Sequence, residues 1–232
     1  ELMEKLEVLV VNDGSKDRTS EIAHEFAAKW PQTFKVIDKE NGNYGSCINA
    51  GLPLANGVFV KVLDADDWYE LDAFRRFMVD LSHTNADLVF SAMTIHRDLQ
   101  SMKLQYNKFG SSIPLHEDFP IDQIKSLIPD LPEKTLGPQF LTYKTEILRG
   151  VKMQWSENLY YTDVEYMSFP MRLVRKIRFI NDSVYEEFNS RLTALNNNNE
   201  RQMFDELNVP IAIGYSWTKT VNLPAQLAAI ND

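Results

Sequence analysis

In Val58-Phe59-Val60-Lys61-Val62-Leu63-Asp64-Ala65-Asp66-Asp67 a strand-sized, mostly apolar run meets three carboxylates in four positions, with no spacer between them. Like charges this close repel unless a cation or solvent compensates. Their hard oxygens suit Mg2+ or Mn2+, and Mg2+ is usually held by one or two carboxylates plus substrate phosphates. The Asp-x-Asp spacing lets two carboxylates converge while Ala65 stays aside. The same residues also make an ordinary solvated acidic turn at a strand end, so the stretch by itself leaves both readings open.

The surrounding sequence repeats the strand-then-loop pattern. Leu6 to Val11 is a continuous valine-rich apolar run, the signature of a strand buried on both faces. Asn12 to Ser15 is turn chemistry. Thr19 or Ser20 can cap a helix whose apolar face is Ile22, Ala23, Phe26, Ala27 and Trp30, with Pro31 ending it. Phe34 to Ile37 predicts a second strand. The polar loop Asn41 to Gly45 leads into a helix through about Ala55. Leu71, Phe74, Phe77, Met78 and Leu81 mark another helix, and Leu88 to Met93 another strand. Strands alternating with helices at this spacing predict an α/β fold, a mostly parallel sheet flanked by helices. The rhythm fails from Gln100 to Pro138, where five prolines punctuate the chain and only Ile121 to Ile128 looks helical. Regular elements return at Gln139 to Leu148, Val164 to Leu173 and Ile177 to Phe188. The tail after Arg201 reads as helical.

At 232 residues and 44% hydrophobic, the chain can bury the core of one large domain. Its net charge of -9, with no Lys/Arg stripe, argues against nucleic acid as a partner. A single cysteine, Cys47, rules out an internal disulfide framework and suits a reducing compartment such as the cytoplasm. No stretch reaches the roughly 18 apolar residues of a membrane span.

Ligands of open α/β sheets bind beyond the carboxyl ends of the strands. That rule selects three loops: Asn12 to Ser15, Asn41 to Gly45 and Asp64 to Asp67. Asp13 could accept hydrogen bonds from a nucleoside, or simply hold its own turn. Asn41-Gly42-Asn43-Tyr44-Gly45 could offer N–H groups to phosphate, or be a plain loop. Asp163, in Tyr161-Thr162-Asp163, could be a base or a helix cap. The histidines (24, 83, 96 and 116) have no metal spacing and no evident partner. Trp68, Trp155, Tyr160 and Tyr161 could stack on a sugar or fill the core.

In order along the chain, Val10 to Thr19, Asn41 to Gly45 with Asn49-Ala50-Gly51, Ala55-Asn56-Gly57, Val62 to Trp68 and Tyr161-Thr162-Asp163 resemble the family-2 nucleotide-sugar glycosyltransferases. The resemblance covers roughly residues 6 to 191 and implies a GT-A fold, Rossmann-like, with an acceptor-binding subdomain. It implies a nucleotide-sugar-binding half over 1–98, an acceptor-binding and catalytic-base half over 99–200, and a helical tail over 201–232. Carried over by position, Asp13 contacts the donor base, Asn41 and Asn43 belong to the donor loop, Asp64 serves the ribose and metal side, Asp66 binds Mn2+ or Mg2+, and Asp163 is the general base. The implied reaction is inverting transfer from a nucleotide-diphosphate sugar to a hydroxyl of a glycan or lipid-linked acceptor, with peripheral membrane contact in the latter case. The Gln-x-x-Arg-Trp motif of processive synthases is missing, which points to single additions. A nucleotidyltransferase of similar fold and a non-catalytic nucleotide-sugar-binding subunit are the alternatives.

Three departures stand out. The family's first strand, before Leu6, is absent, and because it is central to that sheet, two open strand edges are expected. Ile48 stands where many members have arginine. Thr162 replaces the usual glutamate before Asp163.

Overall fold

The computed structural model describes residues 3–97, 102–106, 113–127 and 137–189. Strand β1 (Val8–Asp13) is followed by helix α1 (Thr19–Lys29) and strand β2 (Phe34–Lys39), which pairs parallel to β1 from Val8 opposite Phe34 to Asp13 opposite Lys39. The α1 start differs from expectation. Neither Thr19 nor Ser20 caps it. The N-cap residue is Arg18, which makes no side-chain cap bond; Asp17, one position before it, accepts from the Thr19 N–H at 2.9 Å, and Ser20 donates across to Asp38. Helix α2 (Asn43–Gly51) runs into a 3-10 turn, Leu52–Leu54.

The larger sheet begins with the short β3 (Phe59–Lys61) and contains β4 (Trp68–Tyr69), β5 (Leu88–Arg97), β6 (Met102–Tyr106), β7 (Phe119–Pro120), β8 (Leu141–Lys144) and β9 (Lys176–Asn189). Its path is β3-β8-β5-β9-β4, with β6 on β5 and β7 on β9. Only β5–β9 is parallel within it. Strand β8 runs antiparallel to both β3 and β5 and lies between them, so β3 and β5 point the same way without pairing to each other. The sheet is therefore mixed. Strand–helix alternation sets the directions of β3 and β5, but it does not foresee a strand from residue 141 wedged between them. Among the described residues β1 pairs on one side only, with β2, and β3 on one side only, with β8. The two open edges expected from the sequence are present.

Both faces of the larger sheet are covered, and successive strand residues alternate between them. Helix α3 (Leu71–Leu81) lays Ala73, Phe74 and Phe77 against Val89, Ile180 and Val184. Glu70 caps it, accepting from the N–H groups of Asp72 and Ala73. The opposite face holds Leu88, Phe90, Leu141, Tyr143, Ile177 and Phe179 under α5 (Thr145–Gly150) and α6 (Asp163–Ser168). Ile48, at the position of the family arginine, packs on this core. The helix expected at Ile121 to Ile128 is a 3-10 turn, Ile121–Gln123, joined to α4 (Ile124–Leu127). The tail after Arg201 lies outside the described residues.

Two ionic contacts tie distant segments together. Arg178, buried on β9, donates to Asp80 and to Asp118, both at 2.6 Å. Glu7 accepts from Lys35 at 2.7 Å and from the Asn56 N–H at 2.6 Å, joining the β1–β2 pair to the turn before β3. Burial alone would raise the Glu7 pKa, but the Lys35 and Asn56 bonds outweigh it and bring it from 4.5 to about 2. A depressed carboxylate contributes stability above its unfolded pKa and loses it as pH falls through the folded value. Glu7→Gln is therefore expected to cost roughly 2 kcal/mol at pH 7. Urea titrations repeated from pH 7 to pH 2 should show the variant losing less stability than the parent chain below pH 4.5.

Candidate functional site

The acidic loop leaves β3 through Val62 and Leu63 and turns back on itself, the Asp67 N–H donating to the Asp64 carbonyl at 3.1 Å. Asp64 and Asp67 are buried and Asp66 is half-buried. Tyr185, from the far end of the chain on β9, answers the buried charges. Its hydroxyl accepts from the Asp64 N–H at 3.0 Å and donates to Asp67 Oδ2 at 2.7 Å, with Asp64 Oδ2 at 3.3 Å. Gln139, on the 3-10 turn Pro138–Phe140, donates its side-chain amide to Asp64 Oδ2 at 3.2 Å. Asp64 Oδ1 is buried and has no hydrogen-bond partner among the described residues. Asp67 is thus a buried acceptor for Tyr185 and not the helix-start residue its position suggests, since Glu70 has that task.

Burial pushes the Asp64 carboxyl up to about 7. The charges of Asp66 and Glu187 add to the rise, while Tyr185 and Gln139 oppose it. Left alone, this carboxylate is reluctant to ionise near neutral pH. An incoming cation or donor group at the orphaned Oδ1 would relieve that reluctance. The described residues contain no set of three His, Cys, Asp or Glu that could hold a metal by themselves. Two carboxylates with the remaining positions left to phosphate and water nevertheless fit the way Mg2+ is bound.

Asp13 ends β1 and organises the second loop. Its Oδ1 accepts from Lys39 Nζ at 2.5 Å and the Gly42 N–H at 3.0 Å, and its Oδ2 accepts from the Asn43 N–H at 2.9 Å. Asn41 donates to the Asp13 carbonyl at 3.1 Å. The turn needs Gly14, whose φ is +76° and where a Cβ would lie 2.9 Å from the Asn41 nitrogen. The structure thus brings Asp13, Asn41 and Asn43 together.

The far side of α2 is fixed to the segment that delivers Asp163. Asn49 donates to the Trp155 carbonyl and accepts from its N–H, and the Asn158 N–H donates to the Gly42 carbonyl. The Gly45 N–H donates to Thr162 Oγ1 at 3.1 Å, so the residue replacing the family glutamate pins α2 to the start of α6. A Cβ on Gly45 would lie 2.0 Å from the Ser156 carbonyl oxygen, so only glycine permits this approach. Lys152, Asn158 and Tyr161 all have positive φ in this irregular segment. Asp163 is the first residue of α6 and is buried. Burial raises its pKa, with the N–H groups of Val164 and Asp163 itself pulling the other way. Its neighbour Glu165 is engaged by the Ser156 N–H and hydroxyl at 2.8 and 2.7 Å.

Tyr69 lies near Asp64 and Asp67 and near Tyr166 of α6. Burial raises its pKa well above the ordinary range, as do the nearby Tyr166 of α6 and the charges of Asp64 and Asp67. Among the aromatic candidates, Trp155 is core and Tyr160 is 66% exposed. Trp68 lies tilted by 35° against His96, with ring centroids 4.9 Å apart, and His96 is bonded to Glu186. His24 and His116 likewise meet Asp38 and Asp80, partners that sequence spacing could not reveal.

Residues 2–133 match the family model described as Glycosyl transferase family 2. Over 189 residues the chain is 31% identical to an uncharacterized glycosyltransferase of Mycoplasma pneumoniae, the MG060 homolog, covering 77% of this chain and 56% of that protein. Over 94 residues it is 36% identical to a second from the same organism, the MG025 homolog, covering 40% of this chain and 30% of the relative. The chain therefore spans less than two thirds of the length of these relatives. Among solved structures it is similar to residues 1–349 of S. aureus TarS in complex with UDP-GlcNAc, with a TM-score of 0.62 and 21% identity over 80% of this chain and 50% of that one.

The raised Asp64 pKa carries a thermodynamic sign. Its folded value of about 7 lies above the ordinary 3.8, so the stability it contributes is complete below pH 3.8 and is lost as pH rises through 7. Asp64→Asn is expected to melt several degrees higher than the parent chain at pH 8, with the gain vanishing near pH 4. Differential scanning calorimetry of both proteins across that range measures it.

Proposed function

This chain belongs to glycosyl transferase family 2 and has a GT-A fold, and from that premise we propose that it moves a sugar from a nucleotide-diphosphate donor to an acceptor hydroxyl, using Mn2+ or Mg2+. The observation that carries the reading is the buried, unpartnered Oδ1 of Asp64, with Asp66 beside it, at the end of β3. UDP is the donor nucleotide of choice, in keeping with the UDP-GlcNAc held by the TarS neighbour.

Asp64 and Asp66 would hold the cation, which when bound compensates charge on the leaving diphosphate. Asp13 Oδ2 accepts from the Asn43 N–H and has a second lone pair, which suits a base N–H. The Asn41–Asn43 loop, ordered by Asp13, lines the donor side. Asp163, buried and with a raised pKa, takes the acceptor proton as the hydroxyl attacks the anomeric carbon. A single displacement inverts that carbon. Exposed Leu159, Tyr160 and Val164 lie in sequence on either side of Asp163 and provide apolar contact for a glycan or lipid-linked acceptor. On this reading the protein works in the cytoplasm, and a lipid-linked acceptor would bring it to the inner face of a membrane.

Asp66→Ala is expected to abolish Mn2+-dependent UDP binding, measured by calorimetry with and without the metal. Asp163→Asn should bind UDP like the parent chain and lose at least a hundredfold in transfer rate. An Asp66→Ala protein with undiminished Mn2+-dependent affinity would remove the reading.

A further inference from the structure

The acidic loop is held from the second half of the chain by residues that no motif includes. Asp64 uses one carboxylate oxygen for the Gln139 amide, with the Tyr185 hydroxyl oxygen 3.3 Å from that same atom, and leaves the other oxygen bare. The Tyr185 hydroxyl has one proton. At 2.7 Å that proton goes to Asp67, while the oxygen receives the Asp64 N–H. One side chain therefore fixes the backbone at one end of the loop and the carboxylate at the other.

Behind this pair stands Lys61. Its Nζ donates to the Gln139 carbonyl at 2.5 Å and to Ser91 Oγ at 3.3 Å, and it lies 5.8 and 5.9 Å from the ring centroids of Phe77 and Tyr185. Among the described residues it has no carboxylate partner, and burial draws its pKa down to about 7. A lysine kept in so apolar a place, three residues before Asp64 on the same strand, locks the Gln139 turn to β3. The turn itself packs on α6, which begins with Asp163. Gln139 thus touches the acidic loop with its side chain and β3 with its carbonyl, in a turn that lies against the helix of the proposed base.

We propose that Gln139 and Tyr185, braced by Lys61, are positioning residues. They hold one oxygen of Asp64 and the carboxylate of Asp67 so that the free oxygen of Asp64 faces the donor at a fixed spacing from Asp163. The donor part of this inference rests on the function proposed above. The ordering of the loop does not.

Tyr185→Phe keeps the ring and removes only the hydroxyl, and Gln139→Leu removes only the amide. Both are made in the full-length protein. Without ligand, amide hydrogen exchange at residues 64–67 should accelerate about tenfold in Tyr185→Phe, while β2 and α1 exchange as before. UDP affinity with Mn2+, read by calorimetry, should fall about tenfold in each variant and further in the double variant. Unchanged exchange at 64–67, or acceleration spread evenly over β2 and α1, would overturn the inference. Unchanged UDP affinity beside faster loop exchange would overturn its donor half. Should the parent chain itself bind no UDP with Mn2+, the donor reading falls and the exchange result alone decides whether the clamp exists.

Discussion

Three carboxylates in four residues cannot be folded against a sheet unless something answers their charge, and two of the three are buried here. The local sequence supplies nothing. The answer comes from β9, more than a hundred residues later, through the hydroxyl of Tyr185. For that hydroxyl to arrive, β9 must depart from even register with β5. Between Ser91 and Met93 the register partners on β9 jump from Ile180 to Ser183 to Tyr185, stepping over Asn181, Asp182 and Val184. Such irregularities bend a strand and re-aim its side chains. Here one leaves the Val184 carbonyl to receive the Glu70 N–H, sends Asp182 to Arg76 and delivers Tyr185 to the loop.

A second constraint works the same way on the other rim. Asp13 gathers the loop of Gly42 and Asn43 around its carboxylate, and the loop in turn is stitched by Asn49 and Thr162 to the segment that carries Asp163. Thr162 is instructive. By family pattern it is a loss of charge beside the proposed base. In the fold its hydroxyl fixes the distance between α2 and α6.

What the sequence shows about this protein is what depends on neighbours in the chain. Periodicity finds α3, apolar runs find β1, β2 and β5, and the strand-end rule selects the loops of Asp13, Asn43 and Asp64. Long-range pairing leaves no such trace. Strand β8 wedges between β3 and β5, and nothing in Leu141–Lys144 announces that position. Gln139 and Tyr185 contact Asp64 across 75 and 121 residues. They carry no motif spacing, because their partner is fixed by sheet register and not by distance along the chain. Asp67 misleads for a local reason: an acid just before a helix looks like a cap, and Glu70 lies closer to the first turn.

The segment from Lys152 to Tyr161 has a thermal consequence. Three of its non-glycine residues hold left-handed backbone, each at a cost of about 1 kcal/mol or more, and no helix or sheet ladder shares the strain. Apart from the buried Trp155, its moorings include the bonds to Asn49, Gly42 and Glu165. Such a region opens at lower free energy than the sheet behind it. As the protein warms, the half of the site around Asp163 lets go while the half around Asp64, clamped to β9, is still in place. Heat then separates the two halves of the candidate site in sequence and not together.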